Sequence, residues 1–221
     1  FLGAAPPAQT WPTVTLLSGL ALLWLASPFV AHALSTPAIA RRLEWDSAQR
    51  DTARELALLH WHYFDEFVSE RTHWLAPDNF QEDPSPVVAM RTSPTNIGLQ
   101  LLAIGSAHDL GFIDTAGMTQ RIELVFRTFE RMRRHRGHFF NWYDLRDLRV
   151  LEPAYVSTVD SGNLAGHLLA LRQACLRADA GAQSPTRLVH ALHTALDLAT
   201  PRLRALAAED GVAGTPSAAR I

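Results

Sequence analysis

The stretch RTSPTNIGLQLLAIGSAHDLG, residues 91–111, decides how the chain is read. Ser93-Pro94 is a helix start. A serine hydroxyl accepts from a first-turn N–H, and proline at the first helical position lacks only an N–H that would have no partner. Gly111 is the matching stop, because glycine adopts the left-handed conformation that closes a helix. Working outward, the same signals recur. Ser184-Pro185 repeats the start, for a helix interrupted near Pro201. Asp114 or Thr115 opens another, with Met118, Ile122, Val125, Phe126, Phe129 and Met132 on one face and Gly137 at its end. Ser47–Val68 places Leu56, Leu59, Tyr63, Phe64 and Phe67 at helical spacing, and Asp160 or Ser161 opens a helix through about Leu176. Nothing alternates with the two-residue period of strands joined by tight turns. The expected class is all-α, built from antiparallel helix pairs.

N-terminal to this lies a different composition. Trp11 to Leu34 is 24 residues without a formal charge, and no charged residue precedes Arg41. As a helix it would be about 36 Å long, enough to cross a hydrocarbon core of about 30 Å. Trp11 and Trp24 suit an interface or lipid, and Pro28 would kink the helix or end it. Arg41 and Arg42 follow, with no basic residue on the other side, which assigns the C-terminal side to the cytoplasm. A signal peptide is the competing reading, since Ala31-His32-Ala33 resembles a cleavage site; a buried core helix is a third. The chain begins with Phe, not Met, and reads as a piece of something longer.

Net charge is −2, which gives no overall field for nucleic acid. The one cysteine, Cys175, excludes an internal disulfide and a cysteine zinc cluster, and reads as a buried thiol. His60 and His62, and His190 and His193, lack a companion carboxylate at ligand spacing, so no metal or cofactor is expected. Arg131, Arg133, Arg134 and Arg136 read as a solvated helix end that suits the helix dipole.

Two long loops interrupt the helices, and long loops between well-formed helices carry function. One runs through residues 69–92, the other from His138 to Val159. Both mix flat aromatics with Asp, Asn, Gln, Arg and His, and helix starts at Ser93 and Asp160 add backbone N–H groups to the same rim. Sugars fit such a mixture: their C–H faces stack on Trp or Tyr and their hydroxyls need donors and acceptors together. The candidate substrate-binding residues are Arg91, Thr92, Asn96, Trp142, Tyr143, Asp144, Asp160, Ser161 and Asn163. Each has a structural alternative. Asp160 would serve as an N-cap, Asp144 as partner of Arg146 or Arg149, Arg91 as a loop brace, and Trp142 and Tyr143 as loop packing. Asp144 and Asp160 are the candidate catalytic carboxylates, while the adjacent Glu82 and Asp83 fit loop solvation.

The segments WLAPDNFQEDP (74–84), RTSPTNIGLQLLAIGSAHDLGFI (91–113) and RGHFFNWYDLRDLRVLEPAYVSTVDSGNLAGHLLALRQAC (136–175) together resemble the region after the membrane helices of cyclic β-1,2-glucan synthases. The resemblance covers about residues 20–178. It implies a transmembrane helix followed by part of an (α/α) toroid of paired antiparallel helices. The implied division is 1–40 as anchor and flank, 41–208 as the N-terminal part of a glucan transglycosylase-like domain, and 209–221 as a flexible tail. It implies as partners a β-1,2-glucan chain, a lipid bilayer and the remaining domains of a parent synthase. The location would be the inner membrane with the soluble part facing the cytoplasm. It also puts the catalytic glutamates beyond residue 221. Three readings compete: a glucan-cyclising transferase, an endo-β-1,2-glucanase-like hydrolase, and a non-catalytic, membrane-tethered glucan-binding stub.

Overall fold

The computed structural model describes residues 10–35, 44–179, 181 and 184–213. The chain divides into two compact units, residues 1–45 and 46–221.

In the first unit, α1 (Thr10–Ser35) runs through Pro28 without ending there. Its span Trp11–Ser35 has a mean hydropathy of 1.9 and no part of it is buried. Trp11 and Trp24 are 63% and 85% exposed. Length and composition meet the requirement for crossing a bilayer, as those of a signal sequence also do. Arg41 and Arg42, on which the expected orientation rests, lie outside the described residues.

The second unit opens with a reciprocal cap. Asp46 Oδ1 accepts from Gln49 N at 2.8 Å, and Gln49 Oε1 accepts from Asp46 N at 3.1 Å. The helix α2 (Ser47–Phe67) buries Leu58 and Trp61. Its expected face needs correcting: Leu56 and Leu59 are 51% and 53% exposed. Both sets satisfy helical spacing, and packing selects Leu58, Trp61 and Phe64. The helix α3 (Pro94–Leu110) has the expected ends, with Ser93 Oγ accepting from Asn96 N and Gly111 at φ 84°. Asp114 caps α4 (Thr115–Arg131) through Gly117 N, and Met118, Val125 and Phe129 are buried along it. That helix stops at Arg131, earlier than Gly137 suggested. Gly137 instead turns a hairpin, at φ 86° beside Arg136 at φ 50°. The last helices are α5 (Thr158–Asp179) and α6 (Pro185–Ala213). Pro201 lies inside α6, which continues past it rather than being interrupted.

The loops contain short strands that the sequence did not disclose. These are β1 (Phe80–Gln81) with β2 (Val87–Val88), β3 (Arg91–Thr92) with β6 (Tyr143–Asp144), and β4 (Arg134–His135) with β5 (His138–Phe139). All three pairs are antiparallel. Two residues per strand are too few to show alternation.

α3 and α5 run parallel and side by side. Thr95 meets Asp160 and Asn163 at one end, Gly98 faces His167, Gly105 faces Ala174, and Asp109 meets Arg177 at the other end. α4 starts beside the end of α3, where Thr115 Oγ1 lies 3.1 Å from His108 Nε2. It finishes beside the start of α3, where Thr128 Oγ1 donates to His73 O at 2.6 Å and Gln100 Nε2 to Trp74 O at 2.8 Å. α4 is therefore antiparallel to α3. α2 is antiparallel to it too: its Tyr63 reaches Pro77 O, ahead of α3, while its first turns line a cleft with His190, His193 and Asp197 of α6. α6 begins where Arg187 touches Gly111 and Asp109, past the end of α3. Parallel neighbours backed by helices of opposite direction are the arrangement of part of an (α/α) toroid. The core is Ile97, Leu101 and Ile104 of α3, locked by Leu58 and Trp61, Val125 and Phe129, and Leu164 and Leu171.

Candidate functional site

Both long loops fold over the N-terminal ends of α3 and α5. The first is fixed by Gln100, an α3 side chain only 2% exposed. It donates to Trp74 O and accepts from Ala76 N at 2.7 Å, and Tyr63 Oη donates to Pro77 O at 3.0 Å. The second is joined to the first through β3 and β6, which set Arg91 opposite Asp144 and Thr92 opposite Tyr143. Leu145 N donating to Met90 O at 3.0 Å extends that seam.

Five candidates come together at the seam. The Arg91 guanidinium lies over the Trp142 ring, 4.7 Å from its centroid. Asp78 accepts from Arg91 Nε at 3.0 Å and Nη2 at 2.8 Å on one oxygen, and from Asn96 Nδ2 at 3.1 Å on the other. Asn141 supplies the second junction. Its Nδ2 donates to Asp160 Oδ2 at 2.8 Å, and its oxygen accepts from Tyr155 Oη at 2.7 Å and Trp142 Nε1 at 2.6 Å. The reverse amide orientation would set its oxygen against a carboxylate. Thr95 Oγ1 donates to Asp160 Oδ1 at 2.6 Å and accepts from Asn163 Nδ2 at 3.2 Å. One hydrogen-bonded and stacked chain thus joins Asn96, Asp78, Arg91, Trp142, Asn141, Asp160, Thr95 and Asn163.

The structure places the other candidates deeper. Tyr143 is fully buried, and its hydroxyl accepts from Phe140 N at 2.8 Å while donating to Arg133 O at 2.6 Å. Burial raises its phenol above the ordinary value, outweighing the hydrogen bond from Phe140 and the charges of Arg134 and Arg133. A ring with no exposed face has none to stack on a sugar. Thr92 is also fully buried, and the Ser161 hydroxyl is closed off from solvent. Asp144 is 4% exposed. Desolvation by itself would raise its carboxyl, but the Arg146 N–H at 2.9 Å, the Arg149 hydrogen bond at 3.3 Å and the two guanidinium charges outweigh it. The net effect holds this carboxyl below the ordinary carboxylate value. The N-cap reading of Asp160 is corrected. α5 begins at Thr158, Ser157 Oγ accepts from Asp160 N at 3.1 Å, and Asp160 sits within the first turn.

Asp78, Thr95, Asn141 and Tyr155 stand in the quoted stretches without being candidates. Their partners lie on other elements, so no local pattern marks them. Arg131 ends α4, and Arg133, Arg134 and Arg136 lie exposed on or beside the β4–β5 hairpin, with Arg134 stacked 4.5 Å above Phe139. Among the described residues no three His, Cys, Asp or Glu side chains gather as a metal site would require. Cys175 is a half-buried free thiol against the core.

Fold and rim together define an all-α, paired-helix protein with an aromatic and polar cluster at the mouth of two parallel helices. The sequence relationship makes this more specific. The chain is 47% identical over 156 residues to cyclic beta-(1,2)-glucan synthase NdvB of Rhizobium meliloti (strain 1021), so it is related to a segment of that synthase. The match covers 70% of this chain and 6% of the relative's length. No family model matches the chain. Among solved structures, a putative glucoamylase from Bacteroides fragilis NCTC 9343 aligns with a TM-score of 0.49 at 18% identity, over 65% of this chain and 35% of that one. An endo-beta-1,2-glucanase from Chitinophaga pinensis, in complex with sophorotriose and glucose, aligns at 0.45 and 15% identity, over 65% and 36% of the two chains.

Proposed function

We propose that this chain is a membrane-anchored, glucan-binding part of the cyclising domain of a cyclic β-1,2-glucan synthase, and that the rim over α3 and α5 holds the glucan. The relationship to the synthase segment supports the substrate class. The observation that carries the binding role is the joined cluster of Arg91, Trp142, Asn141 and Asp160. Trp142 supplies the stacking surface, and Arg91, Asn96, Asp160, Asn163 and Tyr155 the polar rim. Thr92, Tyr143, Asp144 and Ser161 hold the rim's frame. α1 is the anchor, with the second unit on the cytoplasmic side.

The state of the carboxylates favours binding over catalysis here. Both oxygens of Asp160 are engaged by Thr95 and Asn141, and Asp144 is held by Arg146 and Arg149. A retaining glycosidase or transglycosylase needs two carboxyls about 5–5.5 Å apart, one attacking the sugar and one exchanging a proton with it. Each oxygen of both carboxyls already accepts from a protein donor, and we assign the catalytic pair to another part of the parent synthase.

The test is a titration of the full chain in detergent micelles with a β-1,2-linked glucan oligosaccharide, alongside β-1,3- and β-1,4-linked ones. Saturable binding preferring the β-1,2 linkage, weakened about tenfold by Trp142→Ala, is the expected result. Prolonged incubation of this chain alone with linear β-1,2-glucan should give no cyclic product. Binding unaffected by Trp142→Ala, or a ring product from this chain alone, would overturn the assignment.

A further inference from the structure

We infer that Asp78 is a positioning residue: without touching sugar, it holds Arg91 over one face of Trp142 and so presents a rigid stacking platform to the glucan. The inference rests on the glucan-binding reading of the rim. Asp78 is the less accessible half of its ion pair, 16% exposed at the side chain against 50% for Arg91. Its oxygens are used by the protein: Oδ2 by Arg91 Nε and Nη2 and by Asn79 Nδ2 at 3.1 Å, Oδ1 by Asn96 Nδ2. A carboxylate so occupied organises donors and has little left for a ligand.

The backbone around Asp78 is fixed as well. Asp78 N donates to Ala89 O at 3.3 Å, and Ala89 N donates to Asn79 O at 2.9 Å. Tyr63 Oη anchors the preceding residue through Pro77 O. Burial, and then the Asp78 charge, push the Tyr63 phenol up to about 12. The clamp is therefore rooted in the wall of α2 and is more than a contact between mobile loops.

The consequence falls on Trp142. One ring face is covered by the guanidinium, and its N–H is used by Asn141. Trp142 as a whole is partly exposed, and on this reading its opposite face receives the sugar's C–H face. Arginine has many rotamers, and two N–H groups held on one Asp78 oxygen select the one lying over the ring. Ordering carried out before the ligand arrives need not be repeated on binding, so affinity is higher than contacts alone would give. Asp78→Asn removes the charge that selects this arrangement while nearly preserving shape. Arg91→Lys keeps a cation but loses the two-point geometry.

The experiment uses the full chain in micelles with its six tryptophans labelled as 5-fluorotryptophan. The Trp142 19F signal is assigned by its loss in Trp142→Phe, and the probe is a β-1,2-linked glucopentaose. In wild type the Trp142 signal should be sharp and shift on titration. In Asp78→Asn and Arg91→Lys it should move or broaden before sugar is added, with the other five signals unchanged and the Kd raised about tenfold. An unmoved Trp142 signal in Asp78→Asn overturns the positioning role whatever the sugar does. A moved signal with unchanged Kd overturns its importance for binding. Absence of binding by wild type overturns the glucan reading itself, and is distinguished by a ring signal that still responds to Asp78→Asn. If Asp78→Asn disturbs all six signals it has unfolded, and Arg91→Lys then decides by the same criteria.

Discussion

Replacing Gly98 by alanine should loosen the contact on which the rim is built, whereas the same change at Gly105, two turns along the same helix, should not. A Cβ at Gly98 would overlap His167 Nδ1 and lie 3.0 Å from its Cγ and 3.2 Å from its Cβ. The ring end could rotate away, but the His167 Cβ is fixed to α5, so α3 and α5 must separate slightly. Forcing a methyl into such a space costs about 1–3 kcal/mol. Alanine returns about 0.5–1 kcal/mol through better helix propensity and a less flexible unfolded chain. The net loss at Gly98 is about 1–2 kcal/mol. At Gly105 the added Cβ meets Ala174 Cβ at 3.4 Å, an ordinary contact, and the propensity gain stands alone. Urea unfolding of the full chain in micelles, followed by tryptophan fluorescence, should rank Gly105→Ala above wild type and Gly98→Ala below it, separated by about 2 kcal/mol. Adding His167→Ala to Gly98→Ala removes the obstruction and should recover part of the loss. Equal midpoints for the two glycine variants would refute a close parallel contact between α3 and α5. So would a double variant less stable than the sum of its parts.

Two further variants should give opposite pH slopes. Asp144 has its carboxyl held low by Arg146 and Arg149, so its contribution is present above about pH 4 and is lost as pH falls through the lowered folded value. The stability gap between wild type and Asp144→Asn should therefore be widest near neutrality and close in acid; a gap that widens in acid contradicts the arrangement. Asn141→Asp would set a second carboxyl where Nδ2 now stands 2.8 Å from Asp160 Oδ2. The pair would retain a proton in the folded state, so this variant should lose stability as pH rises above about 4, and a flat profile would show that the amide does not face Asp160.

What could be read from the sequence follows the range of the forces involved. Helix starts at Ser93-Pro94 and Asp114 and the stop at Gly111 were legible because caps act within a turn. The buried face of α2 was not, because Leu56–Leu59 and Leu58–Trp61 are both three apart and only packing against α3 and α4 distinguishes them. Gly137 signals a left-handed residue equally well in a helix stop and in a hairpin, and here it turns β4 into β5. Pro201 predicts a break, yet α6 continues through it. At the site, the aromatic and acidic composition of both loops was visible, but its organisation was not. Asp78 finds Arg91 thirteen residues away, and Thr95 finds Asp160 across 65 residues.

That organisation bears on how work would be divided in a glucan-cyclising enzyme. Closing a long chain on itself requires its end to be held in place for longer than a water molecule takes to intervene, and holding is a different task from breaking the bond. A group that transfers a proton or attacks a sugar must keep an oxygen free at the reacting atom. A group that holds sugar needs a fixed surface and donors already oriented. The described rim matches the second requirement: Asp160, Asp144 and Asp78 all have protein donors on their oxygens, and Trp142 is braced at its N–H and on one face. The same hydrogen bonds that favour holding over chemistry at these positions make the surface rigid. On the proposed reading, substitutions at Asp78, Arg91 and Asn141 in the parent synthase should therefore weaken glucan capture while leaving the chemical step on bound chains unchanged. A change in the rate of that step at saturating glucan would place one of them in the chemistry instead.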